Sequence, residues 1–323
     1  MFMLFRRCYG IVSLELYSKC LSAVGEIRIC SANPAFRFGR FAMKLRLMST
    51  KDIPGGVRLN TLAGWNQTDA DWSRLLVASP HGCFVMEEGA KVVGTAATLP
   101  YDDRFAWISM VLVDPEYRNR GIGSELLRRA IEHLDDAGIP TLKLDATPLG
   151  KPLYEKLGFV SEYEIERWNL RRTVEENPGL SAEIVPAAPL TEILAYDRHI
   201  FGADRSSLLR SLAERGPALT LAIARGTQLQ GYAFGRRGLF ADHLGPWMAG
   251  DPDTAKTMLA DFLKRSSRDT VIVDALQSNK VAGEILRHTG FTVARPLTRM
   301  YRGPNAFPGK PESLCAILGP EFG

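Results

Sequence analysis

The sequence predicts a mixed α/β fold, in which strands form a sheet covered by helices. Short apolar runs alternate with longer amphipathic stretches, and this alternation is typical of strands interleaved with helices. The chain has 323 residues, of which 46% are hydrophobic and 24% are charged. That length and composition predict a globular protein of two domains, each able to bury its own core.

The stretch from Ile108 to Phe159 is the most informative part of the chain. It begins with an apolar run of strand length, residues 108–113, which Asp114-Pro115 ends because proline cannot donate to a β-ladder. A basic loop with two glycines follows at 118–124. Apolar residues then recur at helical spacing, so a helix is predicted to begin at or near Gly121.

A strand that leads through such a loop into a helix predicts a pyrophosphate site. The first-turn N–H groups of a helix lack internal partners, and the helix dipole favours an anion there. Gly121 and Gly123 carry no Cβ, so a ligand can approach the backbone closely. Arg118 and Arg120 add charge, and each charge-assisted hydrogen bond contributes roughly 1.5–3 kcal/mol. The dinucleotide motif GxGxxG and the Walker motif GxxxxGK[ST] are both absent.

The pattern Arg-x-x-Gly-x-Gly at 118–123 resembles the acetyl-CoA loop of the GNAT acetyltransferase superfamily. The resemblance covers about residues 44–170 and also includes the strand with Val111 and Val113 and the segment LYEKLGF at 153–159. It implies the GNAT acyl-CoA N-acyltransferase fold and direct acetyl transfer from acetyl-CoA to an amine, without a metal. The cofactor-binding residues that it implies are Val111, Leu112, Val113, Arg118, Asn119, Arg120, Gly121, Ile122, Gly123 and Ser124.

The resemblance also implies catalytic roles. Tyr154 falls on the family's tyrosine that donates to the departing thiolate. Many relatives carry a glutamate on the strand before the loop, and that position here is Trp107, which cannot accept a proton. The general base is therefore unassigned. Asp145 on the next predicted strand is the main candidate, and Asp102 and Asp103 are weaker ones. An exposed, solvated role is the simpler interpretation of Asp102 and Asp103.

The other elements of the first half follow from apolar patterns and turn residues. Asp52 is expected to cap the first helix, and Gly138 lies where a helix C-terminus favours glycine. Glu88-Gly89-Ala90 predicts the turn of a hairpin. The predicted elements are a strand at 45–48, helices at 53–65 and from 68 to about 79, a hairpin of 83–87 and 92–99, the strand at 105–113, the helix to 138, a strand at 142–145, a helix at 151–157 and a strand at 159–170.

The second half repeats the first at a shift of 132 residues. The shift places Leu126 on Met258, Gly158-Phe159 on Gly290-Phe291, and the strand 108–112 on 240–244. The second copy lacks the basic loop, because Arg118, Gly121 and Gly123 fall on Gly250, Asp253 and Ala255. Asp251 and Asp253 would repel a phosphate, and Tyr154 falls on Leu286. This predicts a tandem GNAT protein whose C-terminal copy has kept the fold and lost the cofactor.

These patterns predict four segments. Residues 43–172 form the N-terminal GNAT domain, 173–182 a linker with turn residues, and 183–323 the degenerate C-terminal domain. Residues 1–42 are a basic leader without a clean apolar period. We interpret the leader as an extended reading frame with the true start at Met43, and a transit peptide is the alternative on composition.

Composition excludes several classes of protein. Residues 1–44 hold seven Lys or Arg and two Glu, which leaves 33 basic and 34 acidic residues of the total 40 and 36. A near-neutral body gives no case for a nucleic-acid surface, and no apolar run reaches the roughly 20 residues of a membrane span. The five cysteines form no CxxC and the five histidines no ligand spacing, so we expect no zinc site and a cytoplasmic, reducing location.

We expect an acetyl-CoA-dependent N-acetyltransferase that acts on a small-molecule amine, as a monomer or homodimer. The alternative is an acetyl-CoA-binding regulatory module without turnover, which the tryptophan at position 107 favours. A protein-modifying acetyltransferase ranks below both, because composition indicates no peptide groove.

Overall fold

A computed structural model describes residues 43–173 and 188–323 of the chain. The leader predicted at 1–42 and all but the first residue of the predicted linker lie outside the described residues. Within the described ranges, no helix is long and apolar enough to cross a lipid bilayer.

The first half alternates strands and helices as predicted. Its elements are β1 (Met43–Leu47), α1 (Ile53–Leu62), α2 (Asp69–Ala78), β2 (Cys83–Glu88), β3 (Lys91–Tyr101), β4 (Phe105–Val113), α3 (Ile122–Asp136), β5 (Leu142–Ala146), α4 (Lys151–Lys156) and β6 (Val160–Arg171). The hairpin, β4 and α3 are confirmed within a few residues. Asp52 is the N-cap residue of α1 as predicted, but its carboxylate accepts from the Ser49 amide and from Arg46 and makes no hydrogen bond to the first turn of α1.

The second half has a similar order: its described part begins with two helices, as in α1 and α2, and ends with one further strand. Its elements are α5 (Leu190–Phe201), α6 (Ser206–Arg215), β7 (Leu221–Arg225), β8 (Gln228–Arg237), β9 (Asp242–Ala249), α7 (Pro252–Arg265), β10 (Thr270–Leu276), α8 (Lys280–His288), β11 (Thr292–Arg302) and β12 (Leu314–Ala316). The 132-residue repeat holds from α7 to β11. It fails at β9: the shift of β4 predicts a strand over 237–245, whereas β9 covers 242–249.

That offset shows how the second copy lost its loop. Residues 114–121 separate β4 from α3, whereas Gly250 and Asp251 alone separate β9 from α7. The second copy has therefore lost most of the loop, so the predicted residue-by-residue replacement of the glycines is wrong there. Asp251 is the N-cap of α7, and its carboxylate accepts from the Thr254 amide at 2.8 Å. The first turn of α7 is thus satisfied by the chain's own carboxylate.

The two halves exchange their last strands. The described strands form one sheet in the order β1-β2-β3-β4-β5-β11-β6-β10-β12-β9-β8-β7. β11, from the second half, pairs antiparallel with β5, and β6, from the first half, pairs antiparallel with β10. β11 and β6 also pair with each other at the centre of the sheet. Each half therefore completes its sheet with a strand of the other half.

Strands β4 and β5 separate soon after they meet. They are parallel and pair only at Ala106↔Leu142 and Trp107↔Lys143. A bulge then bends β4 away from β5: Met110 has a φ of 53°, and the register with β3 shifts at this point. The result is an opening in the sheet between the C-terminal ends of β4 and β5.

The corresponding opening of the second half is filled by the end of the chain. β9 and β10 are also parallel, and they pair over Asp242–Leu244 and Val271–Val273. Beyond that point β12 lies between them, pairing with β9 through Leu314↔Met248 and with β10 through Ala316↔Ala275. One copy therefore has an open sheet, and the other is closed by a strand from the tail.

The strand exchange makes the stability of each half depend on the other. We expect a fragment of residues 43–173 to give no cooperative unfolding transition, because β6 and one edge of β5 would lose their partners. Co-expression with residues 174–323 should restore the transition. Urea unfolding followed by circular dichroism measures both, and a fragment that unfolds cooperatively on its own would refute the dependence.

Candidate active site

The opening between β4 and β5 contains a cavity of about 560 Å³ that extends through the sheet. The two faces of the sheet contribute different side chains. On the face of α3 lie the loop before that helix and the helix α4. On the opposite face lie the α1–α2 connection, side chains of β6 and β11, and the chain terminus. The residues at the two ends include Arg118, Gly123, Leu153 and Tyr154 on the first face, and Trp65, Gln67, Arg167, Arg295, Leu297 and Glu321 on the second.

The predicted pyrophosphate loop borders the first end of this cavity. Asn119 and Gly121 have left-handed backbone conformations, with φ of 61° and 79°, which turn the chain into the first turn of α3. Both arginines are exposed. Arg118 donates to the Val113 carbonyl at 3.3 Å, and the Arg120 guanidinium lies 5.0 Å from the centre of the Tyr117 ring. The start of α3 and the Arg118 guanidinium therefore border the same end of the cavity.

A buried carboxylate anchors the loop from below. Asp114 accepts from Arg58 at 2.8 Å, lies 3.1 Å from the Lys91 ammonium, and accepts the Glu116 amide at 3.1 Å. Burial would raise the pKa of Asp114, but the hydrogen bonds from Arg58 and Lys91 outweigh it and the pKa is lowered. The carboxylate stays ionised and fixes the point where β4 ends.

The structure brings part of the predicted cofactor set to the cavity wall. Val111, Leu112, Val113, Arg118 and Gly123 line the cavity. The side chain of Ile122 is instead buried in the core under α3. Asn119, Arg120, Gly121 and Ser124 lie in the adjoining loop and first turn. Their predicted roles stay predictions, and for Ile122 only the backbone is available to a ligand.

Tyr154 reaches the cavity from α4 with a free hydroxyl. Its ring packs edge-on against Phe159, with 6.1 Å between ring centres. The hydroxyl makes no hydrogen bond with any described residue, and the side chain lines the cavity. Burial raises the pKa of Tyr154 to about 12, so the phenol stays protonated at neutral pH. The group is therefore a hydrogen-bond donor without a partner in the part of the chain that the structure describes.

Asp145 lines the same cavity but is paired. Both of its oxygens accept from Arg299, at 2.8 and 2.9 Å. Burial raises the pKa of Asp145, and the positive charge of Arg299 opposes that shift. Each carboxylate oxygen retains a second lone pair, so Asp145 can still accept a hydrogen bond. Asp102 and Asp103 lie in the β3–β4 turn and do not line the cavity.

The chain terminus covers Trp107, the position at which the family resemblance would place a glutamate. Trp107 Nε1 donates to the Pro320 carbonyl at 3.0 Å, and Arg299 lies over the Trp107 ring at 4.4 Å. Glu321, which follows Pro320 in the chain, is 1% exposed and lines the cavity. Its carboxylate accepts from Gln67 Nε2 at 2.9 Å and from Arg236. The tail therefore packs on Trp107 through Pro320 and brings a carboxylate to the cavity wall through Glu321.

Sequence reasoning missed these residues of the second face, which are Trp65, Gln67, Arg167, Arg295 and Glu321. They lie up to 256 positions apart, and their meeting depends on the strand exchange and on the path of the tail. The sequence carried no short motif that marks them.

Comparisons with known proteins agree with the fold. The family model described as "Acetyltransferase (GNAT) family" matches residues 57–159, and the one described as "Acetyltransferase (GNAT) domain" matches residues 193–316. Among solved structures, a putative acetyltransferase from Pyrococcus horikoshii superposes with a TM-score of 0.72, at 24% identity, over 89% of this chain and 98% of that chain.

Two relatives in sequence cover much of the chain. The holothin acyltransferase of Pseudoalteromonas sp. (strain SANK 73390) is 25% identical over 80% of this chain and 87% of its own length. The uncharacterized N-acetyltransferase YitH of Bacillus subtilis (strain 168) is 26% identical over 64% of this chain and 73% of its own. With both family models matched, the chain belongs to the GNAT acetyltransferases: it is an N-acetyltransferase with two GNAT domains.

Proposed function

We propose that the protein transfers an acetyl group from acetyl-CoA to a small-molecule amine, and that the N-terminal half performs the chemistry. The observation that carries this proposal is the open sheet between β4 and β5. Its opening has Arg118 and the first turn of α3 at one end and a cluster of polar side chains at the other. The first end fits the diphosphate of the cosubstrate, and the second fits an acceptor.

Tyr154 is the residue that we propose to stabilise the leaving thiolate. In direct transfer the amine nitrogen attacks the thioester carbonyl carbon, the C–S bond breaks, and negative charge develops on sulfur. With a pKa of about 12 for Tyr154 and ~8.5 for a thiol, full proton transfer is uphill by about 5 kcal/mol. The Tyr154 hydroxyl therefore contributes by donating a hydrogen bond to the sulfur.

The attacking amine must first lose a proton. For an alkylamine of pKa ~10.4, reaching the free base at pH 7 costs roughly 4–5 kcal/mol. Asp145 is the base that we propose, because burial raises the pKa of its carboxyl and it faces the cavity. The arginine that pairs with it limits this role. That pairing is the observation which favours the second candidate, an acetyl-CoA-binding module without turnover.

The acceptor end of the cavity favours a small molecule over a peptide. The connection 63–67 and the tail at 320–321 line it on the side opposite α3, and side chains of β6 and β11 narrow it to a cavity of about 560 Å³ together with β4. A relative of which the chain covers most is named an acyltransferase of holothin. Release of free thiol from acetyl-CoA with a panel of amines tests the function. Tight acetyl-CoA binding without release for any amine would support the binding module instead.

Arg118 should contribute to cosubstrate affinity. We expect Arg118→Ala to weaken acetyl-CoA binding by about 10-fold or more, since a charge-assisted hydrogen bond contributes roughly 1.5–3 kcal/mol. Arg128→Ala is the matched control, because Arg128 lies on α3 but pairs with Glu125 outside the cavity. Titration calorimetry measures both, and equal affinities for the two variants would contradict the predicted pyrophosphate loop.

Tyr154→Phe should lower kcat about 10²-fold and leave acetyl-CoA affinity unchanged, because the lost hydrogen bond forms only as the thiolate departs. In the parent protein, whose Tyr154 has a pKa of about 12, the rate should rise with pH as the amine deprotonates. It should show no loss up to about pH 10, because the phenol is still protonated there. Stopped-flow thiol assays across pH measure this. A kcat within threefold of the parent would remove Tyr154 from the mechanism.

Asp145→Asn should lower kcat at least 10²-fold if Asp145 is the base. Asp145→Glu keeps a carboxylate and should recover part of the rate, whereas Asp135→Asn, on an exposed pair with Arg302, should change nothing. Circular dichroism and acetyl-CoA binding establish that each variant is folded. A folded Asp145→Asn variant with unchanged kcat would assign Asp145 to the ion pair alone.

A further inference from the structure

Arg295 is a half-buried cation that forms no ion pair with any carboxylate of the described residues. It lies on β11, directly opposite Arg167 of β6, and its side chain lines the cavity. Among the described residues it makes no hydrogen bond and no ion pair. Burial and the neighbouring Arg167 lower the pKa of Arg295 to about 10, so the guanidinium is still charged at neutral pH.

The acidic groups of the cavity are already committed to other arginines. Asp145 binds Arg299 and Glu321 binds Arg236, while Arg167 makes two hydrogen bonds of 2.7 Å to Asp274. These pairs leave Arg295 as the arginine of this wall without a counter-charge among the described residues. A charge out of water is stabilised by a partner of opposite sign. An anion in the cavity would supply it.

The position of Arg295 assigns that anion to the acceptor and not to the cosubstrate. Alternate residues of a strand share a face, so Arg295 lies on the side of Leu297 and Arg299. Leu297 packs in the core on the face opposite α3, and Arg299 stacks on Trp107. The pyrophosphate loop lies at the start of α3, on the other face.

Two further polar groups of the cavity lack partners. Gln67 Oε1 and Ser109 Oγ are buried without a hydrogen bond to the described residues. Gln67 also holds Glu321 through its Nε2. An amine donates hydrogen bonds, and an amide oxygen beside a carboxylate is suited to accept them. The cavity thus offers acceptors for an amine and, on β11, a donor for an anion.

We propose that the acceptor is an amine that carries a carboxylate, and that Arg295 binds this carboxylate and so determines specificity. The proposal rests on the proposed acetyl transfer and names its substrate class. An arginine fork matches the two oxygens of a carboxylate, which makes the contact geometrically selective. Arg295 is a binding residue in this scheme and takes no part in the proton transfers.

The test uses the full chain, and its acceptors are the amino acids, their C-terminal amides and the corresponding decarboxylated amines. For the best acceptor we expect kcat/KM to exceed that of its amide at least 10-fold. Arg295→Gln should raise KM for the carboxylated acceptor about 10- to 100-fold, with kcat, the rate for the amide and acetyl-CoA affinity unchanged. Arg302→Gln, on the same strand but paired with Asp135 outside the cavity, is the control.

Binding is measured separately from turnover, by titrating the same compounds into the CoA-loaded protein. Carboxylated amines that bind at least tenfold more tightly than their amides, and lose this advantage in Arg295→Gln, support the proposal even without acetyl transfer. Such binding without acetyl transfer would count against the proposed function but not against the assignment of Arg295. Equal use or binding of amides, no binding of any amino acid, or an Arg295→Gln variant that loses acetyl-CoA affinity would overturn the proposal.

Discussion

The parting of two parallel strands is the constraint on which the site depends. β4 and β5 stay paired for two residues and then separate at a bulge whose central residue, Met110, has a positive φ. Thr95 holds the bulge by donating to the Met110 carbonyl at 2.8 Å. Backbone groups of β4 that would pair with β5 in a regular sheet are thereby released. They face a cavity with a helix N-terminus at one end, so fold and site arise from the same irregularity.

The described part of the second half has no such opening between its parallel strands. It retains the parallel strands but fills the gap between them with β12, and its shortened loop places Asp251 at the helix start. It also completes the first half: β11 adds a strand to the first sheet, and Pro320 of the tail accepts a hydrogen bond from Trp107. The two halves are therefore not separable, because each carries a strand that the other half needs.

The order of strands and helices could be predicted from the sequence because it follows from local patterns. The loop at 118–123 was found in the same way, since its glycines and arginines are contiguous. The acceptor end was not, because it joins the connection after α1 to strands and a tail more than 100 residues away. The offset of β9 was missed for a related reason: a shift without gaps cannot represent a shortened loop. Asp52 shows the local limit, where a carboxylate expected at a helix cap is held by Arg46.

The stoichiometry of acetyl-CoA binding tests the central claim most directly. Titration calorimetry of the full chain should give one site, which Gly123→Trp abolishes by placing an indole against the cavity. Asp253→Trp, at the exposed start of α7, should leave that site intact. Two sites, no site, or a single site that disappears with Asp253→Trp and survives Gly123→Trp would contradict the account.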